Sequence, residues 1–224
     1  MIPVLIPMTH SSGSALAITG GGSNWETVNR ALLFVPWHQA MTDQWNTVRN
    51  NKIFPPDGYF GYFNIEPLLS SSALTDQYVS VVYPYNARSS WGAGDGAWVD
   101  AETVSLVTKH PIDVTGTILH DHVSMTEVER AFWPSYRATI TGHGTFFGCN
   151  AGDLQAGTTF SEFQSWAQVG WPYDFVFALS RDSLFAVAEP GTFADMACGW
   201  HVLAIPWTKV PHVRQTLVSK YQLH

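Results

Sequence analysis

The residues most suggestive of chemistry in this sequence are two histidines separated by one residue, His120 and His122, followed by Glu127. On a β-strand, residues two apart point to the same face, so the two imidazoles could share one metal ion. A carboxylate a few residues later could supply a further ligand. The competing interpretation is a pair of loop histidines near a strand end, hydrogen bonded or facing solvent.

This segment resembles the first metal-binding motif of the cupins. The resemblance implies that His120, His122 and Glu127 bind iron, manganese or zinc inside a barrel that acts on a small substrate. The sequence departs from the motif at Pro134, where a cupin turns at a glycine. A cupin-type metal enzyme with one transition metal is therefore an alternative, and the preferred interpretation assigns no metal ligand and no cofactor.

Other catalytic signatures are missing from the sequence. It has no Gly-x-Ser-x-Gly nucleophile elbow, and the glycines of residues 92–96 do not have the spacing of a phosphate-binding loop. Cys149 and Cys198 could pair, but two cysteines are too few for a disulfide framework in a chain of this length. We therefore expect two buried free thiols and no catalytic residue.

Aromatic side chains are abundant, with ten tryptophans among 224 residues. Some of these rings must lie at surfaces, where tryptophan contacts proteins or stacks on sugars. Trp91, Trp133 and Trp171 adjoin glycine or proline in predicted loops and are the candidates for interface positions. A carbohydrate-binding β-sandwich module is the second alternative function.

The charge pattern argues against several classes of partner. Eleven Lys and Arg face eighteen Asp and Glu, for a formal net charge of -7, and no basic cluster is present. Sequence-specific nucleic-acid binding needs such a cluster, so we do not expect it. The most apolar stretch, residues 31–37, is too short to span a bilayer. Charged residues make up only 13% of the chain, about half the usual share, which favours a surface that self-associates.

Strand-like segments recur along the chain, short, rich in β-branched and aromatic residues, and bounded by turn residues. They are residues 31–37, 58–69, 77–84, 97–108, 112–120, 136–148, 158–168, 173–179, 183–188 and 194–207. Two segments, 39–49 and 126–133, have helical spacing instead. This pattern predicts an all-β protein, an antiparallel β-sandwich or jelly roll of about eight to ten strands with short surface helices. An extended N-terminal arm, residues 1–24, would precede a single domain, residues 25–224.

With this length, strand number and arm, the chain resembles the single jelly-roll capsid proteins of non-enveloped icosahedral, picorna-like viruses. Residues 55–65 resemble the entry to a central strand of such a sandwich, and residues 200–207 a late strand. The resemblance implies a structural subunit of a self-assembling shell in the virion, without catalytic residues. Its partners would be copies of itself or related capsid subunits, in homo- or hetero-oligomers.

Overall fold

The computed structural model describes residues 2–5, 12–15, 26–32, 62–65, 75, 77–88, 96–169, 175–189 and 191–223. The chain divides into two compact units, Met1–Ile112 and Asp113–His224, which we call unit 1 and unit 2. Within the described residues, no helix is long and apolar enough to cross a membrane. The predicted arm of residues 1–24 and the predicted domain boundary at residue 25 stay predictions.

Unit 1 contains a helix, α1, over residues 26–32 and a five-stranded sheet. The strands lie in chain order across the sheet, and all neighbours are antiparallel except the parallel pair β2 and β3. They are β1 (Ile2–Leu5), β2 (Ser12–Ala15), β3 (Tyr62–Ile65), β4 (Tyr78–Arg88) and β5 (Gly96–Ser105).

The core of unit 1 joins α1 to the long β4–β5 pair. Val28 and Leu32 of α1 are buried with Val79 and Val81 of β4 and Val104 of β5. Their spacing explains the arrangement, since positions four apart share a helix face and positions two apart share a sheet face.

Unit 2 mixes helices with a three-stranded antiparallel sheet of order β6-β7-β8. Its helices are α2 (Val114–Leu119), α3 (His122–Ile140), α4 (Phe160–Val169) and α5 (Pro211–Tyr221). Its strands are β6 (Phe175–Leu179), β7 (Ser183–Ala188) and β8 (His201–Pro206). Short 3-10 turns cover Ala151–Asp153, Met196–Cys198 and Trp207–Lys209.

The core of unit 2 is built from aromatic rings. Phe132 lies 5.9 Å from Phe175 and 5.7 Å from Phe193, and Phe163 stacks on Phe193 at 4.3 Å, measured between ring centroids. These four rings are fully buried, and such rings each remove about 150–250 Å² from water. Helix α3, helix α4 and the sheet are therefore held around one aromatic cluster.

The all-β prediction is wrong, because the fold is mixed. Residues 112–120 and 158–168, predicted as strands, form α2 and most of α4, and residues 136–140 belong to α3. The physical reason is helix capping: the Asp113 carboxylate accepts a hydrogen bond from Gly116 N at 2.8 Å, and Glu162 accepts from Thr158 N and Thr159 N. Two small sheets with helices do not make a jelly roll or a β-sandwich.

Candidate functional site: an open strand edge

The sheet of unit 2 has two edges, and they differ. At the β6 edge, helix α2 packs on the strand and Phe177 N donates a hydrogen bond to Thr115 Oγ1 at 3.0 Å. This side chain therefore satisfies a backbone group that the sheet itself leaves unpaired. The opposite edge is β8.

The direction of the β8 backbone groups follows from the strand register. Ser180 N donates to Ser183 O at 2.9 Å, and Trp207 N donates to Asp182 O at 3.2 Å. Hydrogen-bonded pairs alternate along an antiparallel ladder, so Leu203 and Ile205, paired with Ala186 and Leu184, bond to β7.

The residues between them point their backbone groups the other way. The N–H and C=O of Val202 and Ala204 face away from β7, and no group among the described residues bonds to them. The Val202 side chain is half-buried and that of Ala204 is exposed. The edge of β8 thus presents two donors and two acceptors in the spacing of an extended chain.

The side chains of β8 do not protect this edge. Natural edge strands are commonly blocked by a charged residue, often lysine, or by proline. The sequence from His201 to Pro206 carries no Lys, Arg, Asp or Glu, and its proline comes only at the last position. We call the outward backbone groups of Val202 and Ala204, with these two side chains, the open edge.

His201 anchors the start of β8 in the core. Its side chain is fully buried, with its ring 4.8 Å from that of Phe146 and 5.4 Å from that of Phe147. Neither ring nitrogen has a hydrogen-bond partner among the described residues. Burial lowers the pKa of His201 to about 4, so the imidazole is neutral at pH 7.

A disulfide joins Cys149 to Cys198, three residues before His201, with their Cα atoms 5.8 Å apart. The expectation of two free thiols is therefore wrong. The bond ties the segment that leads into β8 to the turn after α3. The other end of β8 is fastened by Trp207 Nε1, which donates to Ser180 O and Arg181 O at 3.1 Å.

The histidines of the predicted metal motif lie on helix ends instead of a strand. His120 follows α2 as its C-cap, His122 is the first residue of α3, and both are exposed. Residues two apart do not share a face there, so the geometric basis of the motif is lost. In the described part of the chain, the group of His, Cys, Asp and Glu whose ligand atoms all lie within 4.8 Å is Cys149, Asp153 and Cys198.

Glu127 has a different role from the one the motif implies. Its carboxylate accepts hydrogen bonds from His212 N and Val213 N at 3.1 Å, at the start of α5. These N–H groups have no partner within their own helix, and a carboxylate also opposes the positive end of the helix dipole. Asp121, between the two motif histidines, contacts His212 Nε2 at 2.7 Å.

The three interface candidates fall in different places. Trp133 is half-buried in α3, where its ring lies 5.8 Å from that of Tyr136 and 5.4 Å from that of Phe163. Trp91 and Trp171 lie outside the described residues. Their role at an interface stays a prediction.

The open edge is not predicted by the sequence pattern. Residues 194–207 were predicted as one strand, and the absence of charge from 201 to 206 was the available signal. That signal does not tell an edge strand from a central one, because a central strand is also uncharged. The edge position depends on which strands pair, and only the fold shows that.

No protein-family model matches the chain, and no curated protein matches it. One solved structure that it resembles is that of a DUF3298 family member from Bacteroides fragilis. The two are 12% identical, with a TM-score of 0.48, over 92% of this chain and 87% of the other.

The shell function predicted from the sequence and its two alternatives are wrong. A shell subunit, its place in a virion and the capsid resemblance all rested on a jelly roll, and the chain has a mixed fold. The cupin enzyme and the carbohydrate-binding sandwich required all-β architectures too, and they are wrong for the same reason.

Proposed function

We propose that this protein binds polypeptides, taking an extended segment of a partner as an additional strand along β8. The observation that carries the proposal is the open edge: the N–H and C=O groups of Val202 and Ala204 face outward without a partner among the described residues. Strand addition satisfies such groups with the backbone of the ligand.

The chemistry of the edge favours a peptide backbone as ligand. Donor and acceptor alternate along β8 at the repeat of an extended chain, and another extended chain has the complementary alternation. The side chains beside them, Val202 and Ala204, are small and apolar, so small apolar residues at alternate positions of the partner fit this face.

The expected affinity from the backbone alone is modest. Four hydrogen bonds at about 0.5–1.5 kcal/mol each contribute about 2–6 kcal/mol, which corresponds to dissociation constants from tens of millimolar to tens of micromolar. Contacts from the partner's side chains add to this and set the specificity.

The strand is held at both ends before any partner arrives. The Cys149–Cys198 disulfide and the buried His201 ring fix its start, and the Trp207 indole fixes its end. A rigid edge loses little conformational entropy on binding, which favours recognition by a short strand.

Ala204→Pro in the full chain tests the proposal. Proline removes the outward N–H, and it is tolerated at an edge position whose N–H faces solvent. The control is Ala204→Thr, which keeps that N–H and suits a strand. The probe is a lysine-flanked peptide of alternating valine and threonine, with its affinity for each protein measured by titration calorimetry.

We expect the control to bind the peptide as the unchanged protein does and Ala204→Pro to bind at least about fivefold more weakly, the loss of about one hydrogen bond. Equal binding by all three proteins contradicts the proposal. So does a sedimentation experiment in which the protein occupies its own β8 edge as a dimer and excludes the peptide.

A further inference from the structure

We propose that Cys149, Asp153 and Cys198 form a zinc site when the disulfide is reduced. The two sulfur atoms and a carboxylate oxygen of Asp153 all lie within 4.8 Å of one another. The disulfide and the metal site would be alternative states of the same two cysteines. This inference does not depend on peptide binding at the open edge.

The donor set suits zinc. Two thiolates and one carboxylate are known zinc ligands, and the thiolates favour zinc over magnesium or calcium. With Zn–S bonds of about 2.3 Å, tetrahedral geometry places two sulfurs roughly 3.8 Å apart, so the cysteines need only a small separation from the bonded state. A water molecule would complete the coordination.

The backbone holds Cys149 in place without the disulfide. Phe146 and Cys149 exchange two hydrogen bonds, Phe146 N to Cys149 O at 3.0 Å and Cys149 N to Phe146 O at 2.9 Å. The two residues between them, Phe147 and Gly148, have φ of 49° and 91°. These values are those of a tight two-residue turn, which aims the Cys149 side chain independently of its partner.

The backbone also holds Cys198 near Asp153. Asp195 N donates to Asp153 O at 2.7 Å, and Cys198 N donates to Asp195 O at 2.9 Å. A bridge between Leu154 and Ala194 continues this connection. The three ligands therefore stay together after reduction, because backbone hydrogen bonds and not only the disulfide join their segments.

Asp153 is held by a hydrogen bond to one of its two carboxylate oxygens. Its Oδ2 accepts a hydrogen bond from Asn150 N at 2.7 Å, which leaves Oδ1 for a metal. Carboxylates that bind metals are themselves commonly held by hydrogen bonds in this way. Asp153 and Cys198 are half-buried, so solvent, zinc and a thiol reductant have a path to the site, whereas Cys149 is buried.

Conversion of the disulfide into the zinc site is a two-electron reduction followed by metal binding. A dithiol reductant transfers two electrons and two protons to the disulfide, giving two cysteine thiols and the oxidised reductant. Zinc then displaces the two thiol protons and binds the thiolates. Oxidation by a small-molecule disulfide reverses the process, re-forming the Cys149–Cys198 bond and releasing zinc.

The test compares two samples of the full chain, one with the disulfide intact and one reduced with a phosphine. The phosphine is removed from the reduced sample under nitrogen. Each form is mixed with zinc, passed over a desalting column and analysed for zinc and protein. We expect one zinc per reduced chain and none per oxidised chain. Cobalt bound in its place should show the intense absorption of a tetrahedral thiolate site.

Asp153→Asn tests the third ligand, because asparagine keeps the shape and the hydrogen bond from Asn150 N. The matched control is Asp182→Asn, an exposed aspartate in the β6–β7 turn. We expect at least tenfold weaker zinc binding for Asp153→Asn, in competition with a chromogenic chelator, and unchanged binding for the control.

Three results would overturn the inference: no zinc on the reduced, folded protein; equal zinc on the oxidised form; or equal affinity in Asp153→Asn. Loss of the circular dichroism spectrum of the folded protein on reduction would overturn it as well, since the site requires the backbone to hold the ligands without the disulfide.

Discussion

His201 lies in an environment that disfavours the charged form of its side chain. It is an imidazole fully buried against two phenylalanine rings, with both nitrogens unpartnered among the described residues. Buried polar groups without a partner cost about 1–3 kcal/mol. We therefore expect His201→Phe to stabilise the protein at pH 7, measured by chemical denaturation. A destabilised variant would contradict the cost assigned to the unpartnered imidazole nitrogens.

The same residue predicts how stability changes with pH. Burial puts the pKa of His201 at about 4 in the folded protein, below the ordinary value of 6.5. The unfolded chain therefore takes up the proton first, and the free energy of unfolding falls by about 3 kcal/mol as pH drops from 6.5 to 4. His201→Phe should remove this part of the pH dependence, whereas the exposed His143→Phe should retain it.

Asp121 affects stability at a lower pH than His201 does. As is usual for a carboxylate with a lowered pKa, its contribution to stability is lost as the pH falls. Partial desolvation raises its pKa, but hydrogen bonds from Ser124, His212 and Val123 N outweigh this and lower it. Stability from Asp121 is complete above its unfolded pKa of about 3.9 and is lost as pH falls through the lower folded value. Asp121→Asn should flatten the acid limb of the unfolding curve below about pH 4, and an unchanged limb would show that its partners do not bind the charged form more tightly.

Residue types alone could not assign Glu127. Its nearness to His120 and His122 in sequence made it look like a metal ligand, yet its hydrogen bonds go to α5, which begins 84 residues later at Pro211. The role of Asp121 is easier to infer from the sequence, because an aspartate before an apolar helical repeat is a common N-cap. Its side chain accepts from Val123 N and so begins α3.

At the scale of elements, strands with β-branched runs were predicted best. Residues 183–188 coincide with β7, and β4, β5 and β6 lie largely within their predicted segments. The failures were helices rich in aromatic or β-branched residues. In α4, Phe163 and Ala167 lie four apart on its buried face. Helix α3 was predicted only at 126–133, although it runs from His122 to Ile140 with Pro134 inside it.

Helix α5 depends on a cap from another helix. Val210, at its N-cap, has no side chain that can accept a hydrogen bond, so Glu127 supplies the acceptor. We expect Glu127→Ala to lower the free energy of unfolding by about 1–2 kcal/mol. The control is Arg130→Ala, which changes an exposed residue of α3, the helix that carries Glu127. Equal denaturation midpoints for the two variants would contradict the capping role.

At the scale of the whole molecule, the disulfide is the strongest covalent constraint. It links cysteines 49 residues apart in sequence, and closing a loop of that size stabilises a fold by about 4 kcal/mol in the chain-entropy model. Reduction should lower the urea midpoint of the transition to which unit 2 contributes. An alkylation experiment on the native, unreduced protein should find no reactive thiol, and modification of both cysteines would contradict the pairing.

The low charge content of the chain follows directly from the sequence. The predicted reason for it, burial of the surface in a viral shell, is wrong. Only 13% of residues are charged, and a surface with few charges associates readily. The open edge of β8 is the place that we propose for such association, with a partner polypeptide as the occupant. Binding to copies of itself stays a prediction that sedimentation at increasing protein concentration measures.

The most direct test of polypeptide binding is hydrogen exchange at single amides of β8, followed by NMR on the full chain with and without the valine–threonine peptide. Without peptide, the amides of Val202 and Ala204 should exchange much faster than those of Leu203 and Ile205, which are bonded to β7. With saturating peptide, exchange at Val202 and Ala204 should slow at least tenfold while Leu203 and Ile205 change little. Unchanged exchange at both outward amides, with the peptide bound or failing to bind, would contradict the account.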